Sequence, residues 1–325
     1  MTKRERVIAA IEGRETDGIP SSFSLHFPEG QAVGDPAVEA HLAFFQATDT
    51  DILKIMNENL VPCCGMIRTP QEYYEKIPVI TRKTKFIDDQ IEMTKKILDR
   101  ADKDAFTLGT LHGICASGVH PFEKMGDGFT LSEMRQIQVD FLRWDEEKML
   151  AALHRIADGM CELAAAYVKE AGLDAVYYAA LGAETKWFTE EEFERWIKPM
   201  DLQIMKAIKD TGAYCFLHMC KSGLNMKRYD ADYAALSDVV NWGVYEAPLS
   251  MEEGRRLFEG ITVMGGLKNR TGSLVEGTKE DVRRDVREVV QSFGRRGLIL
   301  GADCTLATEQ DLSLLRAAVE EARRL

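Results

Sequence analysis

Eight short apolar runs, each separated from the next by a stretch with helical spacing, constrain this chain more than any other feature. The runs are GIPSSFSL from Gly18, DILKIM from Asp51, AFTLGTL from Ala105, AVYYAAL from Ala175, YCFLHM from Tyr214, VVNWGV from Val239, TVMGGL from Thr262 and LILGAD from Leu298. Their lengths, and the Gly or Asp beside them, suit strands buried on both faces. From Trp144 to Ala171, residues Met149, Leu153, Ile156, Met160, Leu163 and Tyr167 step by four and three, which puts them on one helical stripe, and Gly172 follows as a C-cap. Thr189 opens a further helix that Pro199 should kink and Gly212 should end. Capping signatures recur at Thr2 with Glu5, Thr278 with Asp281, and Thr308 with Asp311. The alternation predicts an α/β fold, a (β/α)8 TIM barrel with an additional N-terminal helix, built as a single barrel domain over residues 1–325. The alternative, a doubly wound open sheet, normally has a Gly-rich phosphate turn early in the chain, and none occurs.

Charge narrows the partners. A formal net charge of −12 disfavours nucleic acid, an acidic membrane surface or any polyanion as the main ligand. No run approaches the roughly 20 apolar residues of a membrane span. The opening MTKRERVIAAIEGRE lacks an apolar signal core, so a cytoplasmic location is expected. Thiols stay reduced there, and seven irregularly spread cysteines do not read as a disulfide framework.

A barrel of this type carries its site at the C-terminal ends of the strands. The residues expected there are His26, then Asn57 and Glu58, His112, Glu184, His218 with Cys220, Asn241 with Trp242 and then Glu246, Lys268 to Arg270, and Asp303 with Cys304. Side chains alternate along an extended segment, so His218 and Cys220 point the same way. The fifth and eighth strands face one lumen, so Cys304 can join them. Two thiolates and an imidazole suit Zn²⁺ with an open fourth position, the arrangement of catalytic rather than structural zinc. His26 and His112 are candidate proton carriers. Glu184 is a candidate catalytic carboxylate, with capping of the next helix as its other reading. Asn241 and Trp242 are candidate substrate contacts, although an aromatic at a strand end also suits packing. Cys63, Cys64, Cys115, Cys161 and Cys215 read as packing or loop cysteines, Cys215 having the wrong parity to join His218.

At these residues the chain resembles the uroporphyrinogen decarboxylase-like superfamily, and within it the zinc-dependent, corrinoid-linked methyltransferases. LHMCKSG and GADCTLAT are similar to the two halves of that group's His-x-Cys … Cys zinc motif. MTKRERVIAAIEGRETDGIP resembles the usual start of the family, and VMGGLKNRTGSLVEGTKEDVRRDV its seventh-strand turn and next helix. The resemblance implies methyl transfer between a small donor, such as a methoxylated aromatic, or a thiol acceptor such as coenzyme M, and a corrinoid protein. No Asp-x-His-x-x-Gly corrinoid signature occurs, so the corrinoid is expected on a partner protein. A second copy of the chain, forming a homodimer, is the other partner considered. The decarboxylases carry an Arg-rich stretch after the first strand, whereas LHFPEGQAVGD here has no arginine. A net-acidic chain without that clamp is a poor host for a polyanionic porphyrinogen. Cobalamin-independent methionine synthase, also similar at this motif, adds a glutamate ligand. Glu246 is the corresponding candidate for the fourth zinc position, with Glu184 the second choice. Thiol methylation of that kind, decarboxylation, and a non-catalytic zinc-binding barrel are the alternative functions.

Overall fold

The computed structural model describes residues 1–122, 130–247 and 249–325. Strands β1 (Ser21–Ser22), β2 (Ile52–Ile55), β3 (Phe106–His112), β4 (Ala175–Ala180), β5 (Tyr214–Met219), β6 (Val239–Trp242), β7 (Thr262–Leu267) and β8 (Leu298–Ala302) form one parallel sheet. Its order is β1-β8-β7-β6-β5-β4-β3-β2, which brings β1 and β2 together at the seam of a (β/α)8 barrel. The first strand is much shorter than the eight-residue run that predicts it. Asp51 closes the seam instead of a long ladder. Its amide donates to the Ser21 carbonyl at 3.1 Å, and its carboxylate accepts from the Ser21 amide and hydroxyl at 3.0 and 2.9 Å. Arg6 holds the other carboxylate oxygen at 2.5 Å.

Arg6 belongs to the N-terminal helix α1 (Lys3–Ile11), opened by the capping box of Thr2 and Glu5. Val7 and Ala10 of α1 pack against Ile52, Phe106, Phe216, Val239, Met264 and Ile299, so the helix plugs the bottom of the barrel with a dry floor. Burial of this kind contributes roughly 25 cal/mol for each Å² of apolar surface removed from water. Capping boxes also form at Thr189 and Thr278, but Thr308 does not cap the last helix. Asp311 does so, because the Thr308 hydroxyl donates to the His26 carbonyl. The distortion expected near Pro199 appears as a π-helical turn over Phe193–Ile197, before the helix resumes at Lys198–Lys209.

Helix α2 (Gly34–Thr48) ties the top of β2 through His41. The buried ring donates from Nδ1 to the Ala37 carbonyl at 2.6 Å and accepts the Met56 amide on Nε2 at 2.9 Å, which only a neutral imidazole can do. Burial lowers its pKa from 6.5 to about 4. The unfolded chain therefore takes up this proton first on acidification. The stability held by neutral His41 is complete above pH ~6.5 and is lost as pH falls towards ~4, in total about 3 kcal/mol. Urea unfolding of the protein and of His41→Asn across that window is the check. The same slope with pH in both would remove His41 as the cause.

Candidate metal centre

The inner face of β5 carries His218, paired in register with Ala179 of β4 and Asn241 of β6. Cys220 follows at the strand end, its amide bonded to the Ala180 carbonyl at 3.2 Å. Cys304 follows β8, where Asp303 donates its amide to the Leu267 carbonyl and Asn269 holds the Thr305 carbonyl at 3.0 Å. The three side chains converge as expected. Cys220 Sγ and Cys304 Sγ lie 3.8 Å apart, Cys304 Sγ and His218 Nε2 3.4 Å apart, and all three donors lie within 4.8 Å of one another.

These spacings test the fit to zinc. Ligand lengths of about 2.3 Å for sulfur and about 2.0–2.1 Å for nitrogen on a tetrahedron put two sulfurs about 3.8 Å apart, and sulfur and nitrogen about 3.5 Å apart. The donor set therefore fits in chemistry, and the two pairs at Cys304 fit in spacing. As thiols the pair is unequal. Contact with Cys220 and with His218 holds Cys304 well below the usual thiol range. Cys220, against that thiolate and buried, is pushed well above it. A divalent cation between them would favour thiolate at both. Lys221, next to Cys220, has φ of 81°, an uncommon conformation for a side chain other than glycine.

The surroundings include residues that the sequence reading passed over. Tyr177 stacks on His218 with ring centroids 5.2 Å apart, and its hydroxyl donates to Asn241 Oδ1 at 2.8 Å. Lys54, buried in the lumen, sits 3.4 Å from the Tyr177 ring centroid and donates to Ser24 Oγ at 3.2 Å. Burial lowers its pKa to about 8, against the opposing pull of Cys304 and Cys220. The available signal was a lysine inside the apolar run DILKIM, whose place in a buried strand leaves the lumen as an outlet. Asp303 is buried and pushed up to about 6 by desolvation, and it accepts the Tyr245 amide at 3.2 Å, which anchors the turn carrying Glu246.

Three expectations need correction. Trp242 does not wall the site. It points outward, its Nε1 donates to the Leu249 carbonyl at 3.0 Å, and a methyl on Gly254 would lie 2.0 Å from its ring, so the indole is packing between sheet and helix. Asn241 points inward but is spent. Its amide nitrogen donates to the carbonyls of Met264 at 2.8 Å and Ala302 at 3.3 Å, while Tyr177 occupies its oxygen. It ties strands together beside His218, its polar atoms engaged by protein groups. Glu184 neither caps the next helix, which Thr189 does, nor stands free as an acid. Both its oxygens meet the guanidinium of Arg135, and the Gly182 amide adds a bond at 3.0 Å. Arg135 lies on the helix Leu131–Trp144 and was not singled out in the sequence. A cavity of about 290 Å³ is lined in part by Arg135, Glu184, Lys186 and Lys221.

Glu246 is exposed and is not one of the three residues whose donor atoms converge. His26 lies at the rim, Nδ1 against Glu58 Oε1 at 2.6 Å. His112 ends β3 with its ring 5.3 Å from that of His120. Among the described residues no helix is long and apolar enough to cross a membrane.

The family described as Uroporphyrinogen decarboxylase (URO-D) matches residues 110–325. Among solved structures, the chain is similar to a methyltransferase from Methanosarcina mazei with a TM-score of 0.75 and 14% identity, covering 99% of this chain and 98% of that one. It is also similar to a B12-independent methionine synthase from Shewanella, with a TM-score of 0.59 and 13% identity over 94% of this chain and 98% of that one. A putative methionine synthase of the same type from Listeria monocytogenes gives 0.52 and 15%, over 88% and 84%. At these identities the likeness is one of fold. No curated protein matches the sequence.

Proposed function

This chain belongs to the uroporphyrinogen decarboxylase family, and from that premise we propose that it is a zinc-dependent methyltransferase. It would move a methyl group between a small donor or a thiol acceptor and a corrinoid carried by a partner protein. One observation carries the reading: two sulfurs and a nitrogen, from Cys220, Cys304 and His218, converge within 4.8 Å at the mouth of the barrel, with the two pairs at Cys304 at tetrahedral spacing. Bound there, zinc would hold a substrate thiol as thiolate or polarise the oxygen of a methyl donor.

The chain's own groups would do the rest. Tyr177, fixed by Asn241, backs the His218 ring and keeps Nε2 aimed at the cysteines. Asp303 holds the 243–246 turn beside Cys304, so Glu246 remains our candidate for the fourth ligand position, with water as the alternative. His26, its Nδ1 taken up by Glu58, presents Nε2 at the rim for proton transfer, and His112 is the second proton carrier. Decarboxylation is less well supported. Arg135, a buried arginine near the site, is already paired with Glu184, and the loop after β1 carries no arginine to grip a polycarboxylate.

Protein purified without chelator is expected to hold about one zinc per chain. It should show no cobalt spectrum of its own. Methyl transfer from methoxylated aromatics, or to small thiols, should appear only when a separate corrinoid protein is added. A corrinoid spectrum in the isolated chain, or turnover of a porphyrinogen, would overturn the proposal. A metal without exchangeable coordination would favour the non-catalytic barrel, because structural zinc sites are closed.

A further inference from the structure

Lys54 stands on β2 in the barrel lumen, two residues beyond Ile52 of the apolar floor and on the same face. It is buried, yet among the described residues no carboxylate lies within ion-pair distance of it. Its contacts are the Ser24 hydroxyl and the face of Tyr177. The same fold treats another buried lysine differently. Lys198 has Asp230 at 2.5 Å, Asp232 at 3.1 Å and Glu194 at 3.2 Å. An ammonium kept in a lumen with a hydroxyl and a ring as its contacts among the described residues is costly, so its retention points to a task. Tyr177, on which it sits, stacks on His218, and the ionisable groups whose field reaches it are the thiols of Cys304 and Cys220.

Charge counting gives the task. Two thiolates and a neutral imidazole cancel a divalent cation. A neutral fourth ligand leaves that balance intact, while an anionic one leaves a net negative centre among buried and half-buried side chains, where charge is less screened than in water. A cation beneath the centre restores neutrality in the second case only. We propose that Lys54 sets the charge class of the ligand, selecting an anionic sulfur or oxygen group, a thiolate or a phenolate-type leaving group, over a neutral one. This rests on the metal reading above. Lys54 acts through the field it places under the centre, as a specificity-determining residue.

The test uses cobalt(II)-loaded full-length protein, titrated with 2-mercaptoethanol, which binds as thiolate, and with imidazole, which binds neutral. Both are followed by the metal's visible and charge-transfer bands. In Lys54→Met the thiol affinity should fall roughly tenfold or more, the equivalent of about 1.4 kcal/mol, while imidazole affinity stays within about twofold. Lys54→Arg should recover most of the thiol affinity. Metal-free Lys54→Met should melt at or above the parent temperature, since an unpaired buried charge has been removed. If the parent protein takes up no cobalt, the metal reading fails and this inference falls with it. If cobalt binds and both probes weaken equally, or neither does, only the role of Lys54 is overturned. A large drop in melting temperature would make Lys54 a structural residue and also overturn it.

Discussion

Cys304→Ser is expected to abolish stable zinc binding. Zinc content should fall from about one per chain to near zero after dialysis. Affinity in competition with a chromophoric chelator should drop on the order of 100-fold or more, since loss of even an outer partner of a ligand costs roughly 10–100-fold. Cys220→Ser should match it, because both sulfurs belong to the same compact set, 3.8 Å apart. Cys215→Ser is the control. It is buried on the opposite face of β5 and belongs to the apolar layer under the helices, so it should leave zinc untouched. Methyl transfer should disappear with the metal. Stoichiometric zinc at parent affinity in both Cys220→Ser and Cys304→Ser would place the centre elsewhere.

Breaking the Arg135–Glu184 pair should give the largest stability loss. Side-chain exposures of 7% and 3% make this a desolvated ion pair, with both carboxylate oxygens on the guanidinium. Removing one partner strands the other charge in a poorly solvated site, which costs about 3–5 kcal/mol. Arg135→Met and Glu184→Gln should each show that loss in denaturant unfolding. The double variant Arg135→Met/Glu184→Leu should lose much less, since no charge is left unpaired. Zinc content should stay at about one per chain in all three, because neither residue belongs to the converging donors. A Glu184→Gln protein within about 1 kcal/mol of the parent would show the pair to be dispensable, against the buried-pair expectation.

The legible parts of the fold were those governed by local forces. A capping box acts over three residues, so Thr2, Thr189 and Thr278 could be assigned from spacing. Thr308 could not, because the carbonyl of His26, distant in sequence, took its hydroxyl. The convergence of His218, Cys220 and Cys304 was legible for a related reason. Alternation settles that His218 and Cys220 share a side. Alternation alone also states that Asn241 and Trp242 face opposite ways, but not which of them faces in. Register against His218 decides that, and it spends Asn241 on the barrel and sends Trp242 to the helices.

What the sequence by itself determined was the alternation of strand and helix, the helix starts at Thr2, Thr189 and Thr278, and the soft character of the donors at two strand ends. What only the tertiary structure decided was how charges and polar groups were paired across the barrel. Arg135 neutralises Glu184, Asp51 stitches β1 to β2, and Lys54 lies against Tyr177 with no carboxylate at ion-pair distance among the described residues. The reason is physical. Periodicity and capping are read over three or four residues, the range of one helical turn or strand repeat. The burial that makes an ion pair strong or an ammonium costly exists only once the barrel has closed around it.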